Sequence, residues 1–238
     1  MISVVIPSYN EGNRVIAAYR ALTEYFQKNH PDYELIFVDD RSDKPLKEIL
    51  SSLLMNDGHT KVLTNDQNKG KGYSVRRGVM ASKGEYVLFT DADLSTPISE
   101  MEKLMTPLGE GYDLAIGSRA MPSSEIRFHQ PVHREYVGKV FNFLLRKILA
   151  LQLNDTQCGF KAFRRGPAQD IFKRQTLNGF CFDAEILQIA KERGYKISEI
   201  PVVWLNSEKT SVNLLKESIR MFADLIIIKI NSLKGKYS

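Results

Sequence analysis

Two aspartates separated by one residue have the spacing of a divalent-cation site. Asp91 and Asp93 follow the apolar run Glu85–Phe89, which has the composition of a β-strand. Alternate residues of a strand point to the same side, so both carboxylates would share one face. Carboxylate oxygens suit Mg²⁺ or Mn²⁺, and these cations commonly carry a diphosphate. The pair predicts a metal-assisted diphosphate site, and the alternative is a solvated turn or a helix cap.

The elements around this pair alternate between strand and helix patterns through the first half of the chain. The predicted strands are Ser3–Pro7, Glu34–Val38, Lys61–Thr64, Glu85–Phe89 and Asp113–Gly117. The predicted helices are Asn13–Asn29, Leu46–Leu54, Lys71–Ser82 and Pro97–Thr106. This alternation predicts an α/β fold with a mostly parallel sheet and helices on both faces. Ligands bind beyond the carboxyl ends of such strands, so polar clusters at Pro7–Glu11, Asp39–Asp40 and Asp91–Asp93 should converge.

The balance of charges differs between the two halves of the chain. Residues 1–118 contain 13 Lys and Arg against 17 Asp and Glu, whereas residues 119–238 contain 20 against 11. The basic half predicts contact with phosphates or an anionic lipid surface, and a solvated basic surface is the alternative. We expect no nucleic acid partner, because the sequence has no helix-turn-helix, zinc-finger or RNA-binding motif. Dinucleotide and P-loop glycine motifs are also absent, which favours a metal-held pyrophosphate.

Seven segments, in order along nearly the whole chain, resemble the inverting GT-A-type nucleotide-sugar glycosyltransferases of family 2. They are Val4–Glu11, Phe37–Ser42, Asn68–Gly72, Asp91–Asp93, Gly117–Arg119, Asp155–Lys161 and Phe182–Leu187. The last two are similar to dolichyl-phosphate β-glucosyltransferases and related polyprenyl-phosphate glycosyltransferases. One departure is Arg41, where the family usually has Gly. The resemblance implies a catalytic domain over residues 1–210, divided into a nucleotide-sugar-binding half (1–118) and an acceptor half (119–210), with a C-terminal amphipathic helical extension over 211–238.

The resemblance also implies roles for residues of the first half. Pro7, Tyr9 and Glu11 would line the nucleoside pocket, where the ring of Tyr9 offers a flat face; a simple strand-exit turn is the alternative. Either Asp39 or Asp40 would accept a hydrogen bond from a pyrimidine base. Lys71 belongs to a glycine-containing loop before a helix, and such loops allow anions to approach the backbone; a plain loop is the alternative.

The remaining implied roles concern the metal and the reacting groups. Asp93 would be the main ligand of Mg²⁺ or Mn²⁺, with Asp91 nearer the ribose and the metal. Arg119 and Arg134 flank a polar loop, Ala120–His133, in which we predict no helix. That loop could close over the donor, with an arginine binding phosphate oxygens.

The role of Asp155 depends on the acceptor. A phosphate monoester is already nucleophilic at neutral pH because its second pKa is about 6, so it needs no general base. Asp155 would then orient an Arg or Lys, or contact the sugar. A sugar hydroxyl does need a base, and Asp155, Asp183 or Glu185 would be the candidates.

Two apolar segments predict contact with a membrane surface. These are Tyr136–Leu153 and Ser211–Leu233, and basic residues accompany both. Basic amphipathic helices can lie in the bilayer interface; packing against the catalytic core or a second copy in a homo-oligomer is the alternative. Since no run reaches about 18 apolar residues, we expect a cytoplasmic protein, peripheral on the cytoplasmic face of a membrane if attached. Lys209 is a further candidate for contact with an acceptor phosphate.

Together with the Asp91 and Asp93 pair, the resemblance implies a metal-dependent, inverting hexosyltransferase that moves a hexose, here expected to be glucose from UDP-glucose, to a polyprenyl or dolichyl phosphate. A first alternative is an enzyme of the same fold acting on a saccharide hydroxyl in polysaccharide assembly. A second is a non-catalytic subunit that binds nucleotide sugars, against which the intact Asp91 and Asp93 pair argues.

Overall fold

The strands of the first half lie within one or two residues of their predicted positions. The structure is a computed structural model that describes residues 1–55, 57–127, 132–205 and 214–238, without the side chains of 132–137, 139 and 214–219. Its strands are β1 (Ile2–Ser8), β2 (Tyr33–Asp39), β3 (Thr60–Thr64), β4 (Tyr86–Thr90), β5 (Leu114–Ser118), β6 (Glu125–Ile126), β7 (Phe160–Arg164), β8 (Ile197–Pro201) and β9 (Val203–Trp204).

Seven of these strands form the central sheet, in the order β3-β2-β1-β4-β7-β5-β8. All pairings are parallel except those of β7, which runs antiparallel between β4 and β5. The predicted mostly parallel sheet is thus confirmed, and β7 and β8 are the strands of this sheet that the sequence pattern did not reveal. β6 and β9 form a separate two-stranded sheet.

The helices cover both faces of the sheet. They are α1 (Asn13–Asn29), α2 (Leu46–Ile49), α3 (Ser51–Leu54), α4 (Lys71–Ala81), α5 (Met101–Gly109), α6 (Val132–Leu149), α7 (Arg165–Arg174), α8 (Phe182–Glu192) and α9 (Leu214–Leu233). In α1 the apolar side chains Val15, Ala18, Leu22 and Phe26 are all buried. This spacing of three or four residues produces the single apolar stripe that a surface helix needs.

Two hydrophobic layers lie on opposite faces of the sheet, because alternate residues of β1 and β4 point in opposite directions. Val5 and Phe89 belong to one layer, and Val4 and Leu88 belong to the other. Helix α9 contributes Leu225 and Ile228 to the first layer and packs against α6 and α8. The C-terminal helix is therefore part of the core.

Three local predictions need correction. The predicted helix Leu46–Leu54 is divided into α2 and α3 at Leu50, and the predicted helix Pro97–Thr106 begins with the 3₁₀ turn Ile98–Glu100. The loop Ala120–His133 was expected to contain no helix, yet α6 begins at Val132. The polar residues before Tyr136 carry no apolar periodicity, so the first turn of α6 was not visible in the sequence. In the described part of the chain, no helix has the length and hydropathy to cross a bilayer.

Candidate active site

The polar clusters that follow β1 and β2 lie side by side. Ser8 pairs with Asp39 at the ends of these strands. Beyond them, Asn10 donates through its backbone N–H to Ser42 Oγ (2.9 Å), and its side chain exchanges hydrogen bonds with Asp43 (2.9 and 3.0 Å). A cavity of about 310 Å³ opens here, lined by Ser8, Asn10, Glu11, Gly12, Ser42, Asp43, Lys44, Leu46 and Ile49.

Glu11 connects this cavity with the aspartates that follow β4. Burial raises the pKa of Glu11, and the charges of Asp93 and Asp91 raise it further, while Arg14 acts in the opposite direction. Glu11 is therefore close enough to Asp91 and Asp93 for their charges to act on its carboxyl group. Pro7 is buried near the end of β1, and Tyr9, just beyond this strand, is 44% exposed.

Asp39 and Asp40 are buried and hold the loops that surround the cavity. The carboxylate of Asp39 accepts hydrogen bonds from the backbone N–H groups of Ser42 (2.9 Å) and Leu46 (3.0 Å). The carboxylate of Asp40 accepts from the backbone of Lys69 (2.8 Å) and Gly70 (2.7 Å), and from the side chain of Asn65. A carboxylate offers about four acceptor positions, so Asp39 retains more capacity than Asp40 for a base.

Arg41 follows these aspartates in a left-handed conformation, with φ of 66°. This region of backbone space favours glycine, because other residues place Cβ close to the carbonyl oxygen. Arg41 therefore adopts this turn at some cost in backbone strain, which a glycine at the same position would avoid.

Lys71 and Asp91 form an ion pair at the start of α4. The Lys71 ammonium lies 2.6 Å from Asp91 Oδ1, and both side chains are partly exposed. Burial disfavours the charged lysine, but the carboxylates of Asp91, Asp183 and Asp93 outweigh this effect and raise the pKa of Lys71. Lys71 therefore remains a cation, available to a diphosphate that approaches Asp91 and Asp93.

Asp91 and Asp93 could supply two of the ligands that a divalent cation needs. Among the described residues, no group of three or more His, Cys, Asp or Glu side chains could hold a metal ion by itself. Asp93 is exposed, and one of its oxygens accepts a hydrogen bond from Ser95 N–H (3.0 Å). Mg²⁺ usually takes one or two carboxylates and completes its shell with phosphate oxygens and water, which agrees with this donor set.

Arg119 and Asp155 form a bidentate ion pair although 36 residues separate them in sequence. Arg119 Nε lies 2.6 Å from Asp155 Oδ2, and Nη2 lies 3.0 Å from Oδ1. The Arg119 guanidinium also lies over the ring of Trp204, 5.4 Å from its centre. Burial would raise the pKa of Asp155, but the charge and hydrogen bonds of Arg119 outweigh it and hold that pKa below its ordinary value. Asp155 is thus a buried anion that orients Arg119.

Glu199 on β8 fixes the backbone that carries Asp155. Its carboxylate accepts hydrogen bonds from the N–H groups of Asn154 (2.9 Å) and Asp155 (2.8 Å). Glu199 was not among the residues predicted from the sequence. An acidic residue inside the strand pattern Ile197–Pro201 is the signal that could have revealed it.

Asp183 and Glu185, the alternative bases, are both buried and already engaged. Asp183 accepts a hydrogen bond from the fully buried Lys161, which also donates to the carbonyl of Cys158 (2.6 Å). Burial raises the pKa of Asp183, and the charges of Lys161 and Lys71 act against this rise. Glu185 accepts hydrogen bonds from Thr176, Leu177 and Tyr237.

Two residues predicted to belong to the site, Arg134 and Lys209, have no described side chain. Arg134 lies on the first turn of α6, but its side chain is outside the described part, and Lys209 lies outside the described residues altogether. A larger depression of about 510 Å³ runs along α1, lined by Tyr19, Arg20, Thr23, Glu24, Gln27 and Lys28. It includes none of the predicted site residues.

Comparisons with known proteins agree with the resemblance seen in the motifs. The chain is 33% identical over 254 residues to a dolichyl-phosphate β-glucosyltransferase of Saccharomyces cerevisiae, covering 99% of this chain and 76% of the relative. It is 32% identical to the enzyme of that name from Homo sapiens, covering 99% and 77%. Glucosyl-3-phosphoglycerate synthase from Mycobacterium tuberculosis, solved with Mn²⁺, UDP and phosphoglyceric acid, superposes with a TM-score of 0.70 at 20% identity, covering 100% of this chain and 78% of that one.

The structural match shows a shared GT-A fold, as the sequence predicted. The family model described as glycosyl transferase family 2 matches residues 3–172 of this chain. The chain therefore belongs to glycosyltransferase family 2.

Proposed function

We propose that this protein transfers glucose from UDP-glucose to a polyprenyl phosphate, with inversion at the anomeric carbon. Relatives that cover nearly the whole chain are dolichyl-phosphate β-glucosyltransferases. The observation that carries the choice of acceptor is the bidentate pairing of Asp155 with Arg119. A carboxylate held in this way is a poor proton acceptor, and a phosphate nucleophile requires none.

The donor would lie across the carboxyl ends of β1, β2 and β4. The cavity beside Glu11 and Ser42 supports a nucleoside site, with Tyr9 exposed at its edge and Asp39 as an acceptor for a pyrimidine N–H. Asp93 and Asp91 would hold Mg²⁺ or Mn²⁺ together with the diphosphate. Such a cation, when bound, stabilises the negative charge of the departing nucleoside diphosphate. The Mycobacterium tuberculosis synthase is known with Mn²⁺ and UDP, and with Mg²⁺ and UDP.

In the reaction, an oxygen of the acceptor phosphate forms a bond to the anomeric carbon of glucose. The bond from that carbon to the diphosphate oxygen breaks, and its electron pair leaves with UDP. No proton has to be removed, because the phosphate is largely dianionic at neutral pH. Lys71 would bind the diphosphate, and Arg119 would present its planar guanidinium to phosphate oxygens in the orientation that Asp155 imposes.

The exposed surface of α6 and α9 supports a site for the lipid tail of the acceptor. Between Phe222 and Leu233, the outer side of α9 is apolar, with Phe222, Ile226, Ile227, Ile230 and Leu233 between 43% and 75% exposed. On α6, Phe143 is 60% exposed, with the ammonium of Lys147 near its ring. Apolar surface bordered by lysine suits the interface of an anionic bilayer. We therefore propose peripheral attachment to a membrane through these helices, and a second copy of the chain is the competing occupant.

The proposed division of the chain follows from these assignments. Residues 1–118 would form the nucleotide-sugar-binding half, and residues 119–210 the acceptor half. Residues 211–238 would form the membrane-facing extension, which shares the hydrophobic core through Leu225, Ile228 and Tyr237. Removing this extension would expose core residues, so truncation is a poor test of lipid binding.

The experiment that tests this proposal is a matrix of donors and acceptors. The donors are UDP-glucose, UDP-galactose, UDP-N-acetylglucosamine and GDP-mannose, and the acceptors are polyprenyl phosphate, polyprenol and a free saccharide. We expect transfer from UDP-glucose to polyprenyl phosphate and none to polyprenol, because the phosphate is the nucleophile. Transfer to the saccharide alone would favour the hydroxyl-acceptor alternative. Failure to release UDP with every acceptor would favour a non-catalytic binding subunit.

A further inference from the structure

The last turn of the chain returns a tyrosine to the interior beside α8. After α9, Gly235 adopts a left-handed conformation with φ of 67°, and Tyr237 is fully buried two residues later. The Tyr237 hydroxyl donates a hydrogen bond to Glu185 Oε1 (2.8 Å). Burial and the charge of Glu185 both raise the pKa of Tyr237, so this hydroxyl stays protonated and able to donate.

Glu185 holds the connection between α7 and α8, which we define as residues 175–179. Its carboxylate accepts hydrogen bonds from Thr176 N–H (3.1 Å), Thr176 Oγ1 (2.5 Å) and Leu177 N–H (2.8 Å). Glu185 has no exposed surface. A buried carboxylate needs such donors to offset its loss of hydration, so Glu185 and this connection hold each other in position.

The α7–α8 connection in turn shapes the glycine loop that precedes α4. Gln175 donates through its side-chain amide to Gly72 O (3.0 Å), and Tyr73 N–H donates to Asn178 O (3.3 Å). A Cβ at Gly70 would lie 2.4 Å from Asn178 O, which shows how closely the two backbones approach. Between these contacts lies Lys71, whose ammonium reaches Asp91.

We infer that Tyr237 and Glu185 are positioning residues for the donor-phosphate loop. The hydrogen bonds run from Tyr237 through Glu185 to the α7–α8 connection, and that connection fixes the backbone on either side of Lys71. This inference rests on the proposed function in one respect, namely that Lys71 and Asp91 belong to the donor site. It adds that the C-terminal turn, from the opposite end of the chain, sets the affinity for the donor's diphosphate.

The variant Tyr237→Phe tests this inference, because it removes the hydroxyl and leaves the ring in the core. Tyr195→Phe is the matched control: its hydroxyl also donates to a carboxylate, Asp170 Oδ2 (2.9 Å), outside the α7–α8 connection. The readout is the binding of UDP with Mn²⁺, measured by titration calorimetry on the full chain. We expect Tyr237→Phe to weaken UDP binding about threefold to tenfold, and Tyr195→Phe to leave it unchanged.

Hydrogen exchange of the same variants separates positioning from general destabilisation. We expect faster exchange in Tyr237→Phe at residues 68–73 and 175–179, and no change there in Tyr195→Phe. Glu185→Gln, which places an amide against the same donors, should weaken UDP binding further than Tyr237→Phe.

Unchanged UDP affinity and exchange in Tyr237→Phe would overturn the inference, and so would an equal loss of affinity in both tyrosine variants. Wild-type protein that binds no UDP would instead contradict the proposed function.

Discussion

The ammonium of Lys71 lies 2.6 Å from Asp91 Oδ1, so the first carboxylate of the proposed metal pair already has a cation beside it. Lys71 is the first residue of α4, and Asp91 directly follows β4. The helix start and the strand end therefore meet at the place where a diphosphate would bind. Lys71 must exchange part of this contact for phosphate oxygens when the donor arrives.

Replacement of this lysine should affect the metal and the nucleotide in opposite directions. In Lys71→Met, Asp91 loses a competing cation, so Mn²⁺ alone should bind more tightly than to the wild type. UDP with Mn²⁺ should bind about tenfold more weakly, because the diphosphate loses its positive partner in a partly exposed site. Calorimetry with Mn²⁺ alone and with UDP present measures both effects. Lys69→Met, which removes an ion pair with Asp66 in the same loop, is the control and should change neither.

Removal of the second carboxylate should abolish metal-dependent turnover without unfolding the protein. Asp93→Asn keeps the size of the side chain but loses a charged ligand, so we expect activity at saturating Mn²⁺ to fall at least about 100-fold. Asp93 is exposed, so the melting temperature should move by less than about 2 °C. Full activity of the wild type in excess chelator would contradict the metal assignment.

The pH dependence of transfer should follow the titration of the acceptor phosphate rather than that of Asp155. The pKa of Asp155 is lowered from its ordinary value of 3.8, so its carboxylate stabilises the fold above that pH, and this stabilisation is lost as the pH falls through the lower folded value. Asp155 is therefore fully ionised from pH 5 to 8. The acid limb of kcat/KM for the lipid phosphate should fall near pH 6, the second pKa of a phosphate monoester.

Asp155→Asn separates a positioning residue from a base. We expect activity to fall about 100-fold because Arg119 loses its fixed orientation, with the acid limb still near pH 6. Arg119→Lys should cause a similar loss, because an ammonium cannot reproduce the bidentate pair. If the acid limb disappears in Asp155→Asn while Arg119→Lys stays active, Asp155 is a general base after all.

The exposed face of α9 should control attachment to vesicles. Substitution of Ile226 and Ile230 by Ser, at positions 47% and 44% exposed, should weaken binding to vesicles that contain anionic phospholipid by about tenfold or more. Added salt should weaken wild-type binding as well, because exposed lysines contribute. Met55→Ser, at an 82% exposed position on another helix end, is the control. A concentration-dependent dimer that the two Ile substitutions dissociate, with no vesicle binding, would identify a second copy as the occupant.

The sequence predicted the elements whose signals are local. Short apolar runs located β1 to β5, and the spacing of Val15, Leu22 and Phe26 located α1. It also predicted that the residues after β1, β2 and β4 meet, because parallel strands bring their carboxyl ends to one edge.

Contacts between distant residues could not be predicted in this way. The insertion of β7 between β4 and β5, the pairing of Arg119 with Asp155 and the hydrogen bond from Tyr237 to Glu185 all depend on packing in three dimensions. Asp40 is an example. Its residue type alone agrees with contact to a base, whereas the three hydrogen bonds that its carboxylate accepts anchor the loop at Lys69 and Gly70.

The central claim is that glucose passes from UDP-glucose to a lipid phosphate by a single inverting displacement. The most direct measurement is the anomeric configuration of the glucosyl lipid made from UDP-glucose, polyprenyl phosphate and Mn²⁺, read from the proton coupling of the anomeric centre by NMR. The donor is α-linked, so we expect a β-linked glucosyl phosphate, made by the wild type and not by Asp93→Asn. An α-linked product, or glucose attached to a hydroxyl group in place of the phosphate, would contradict the account.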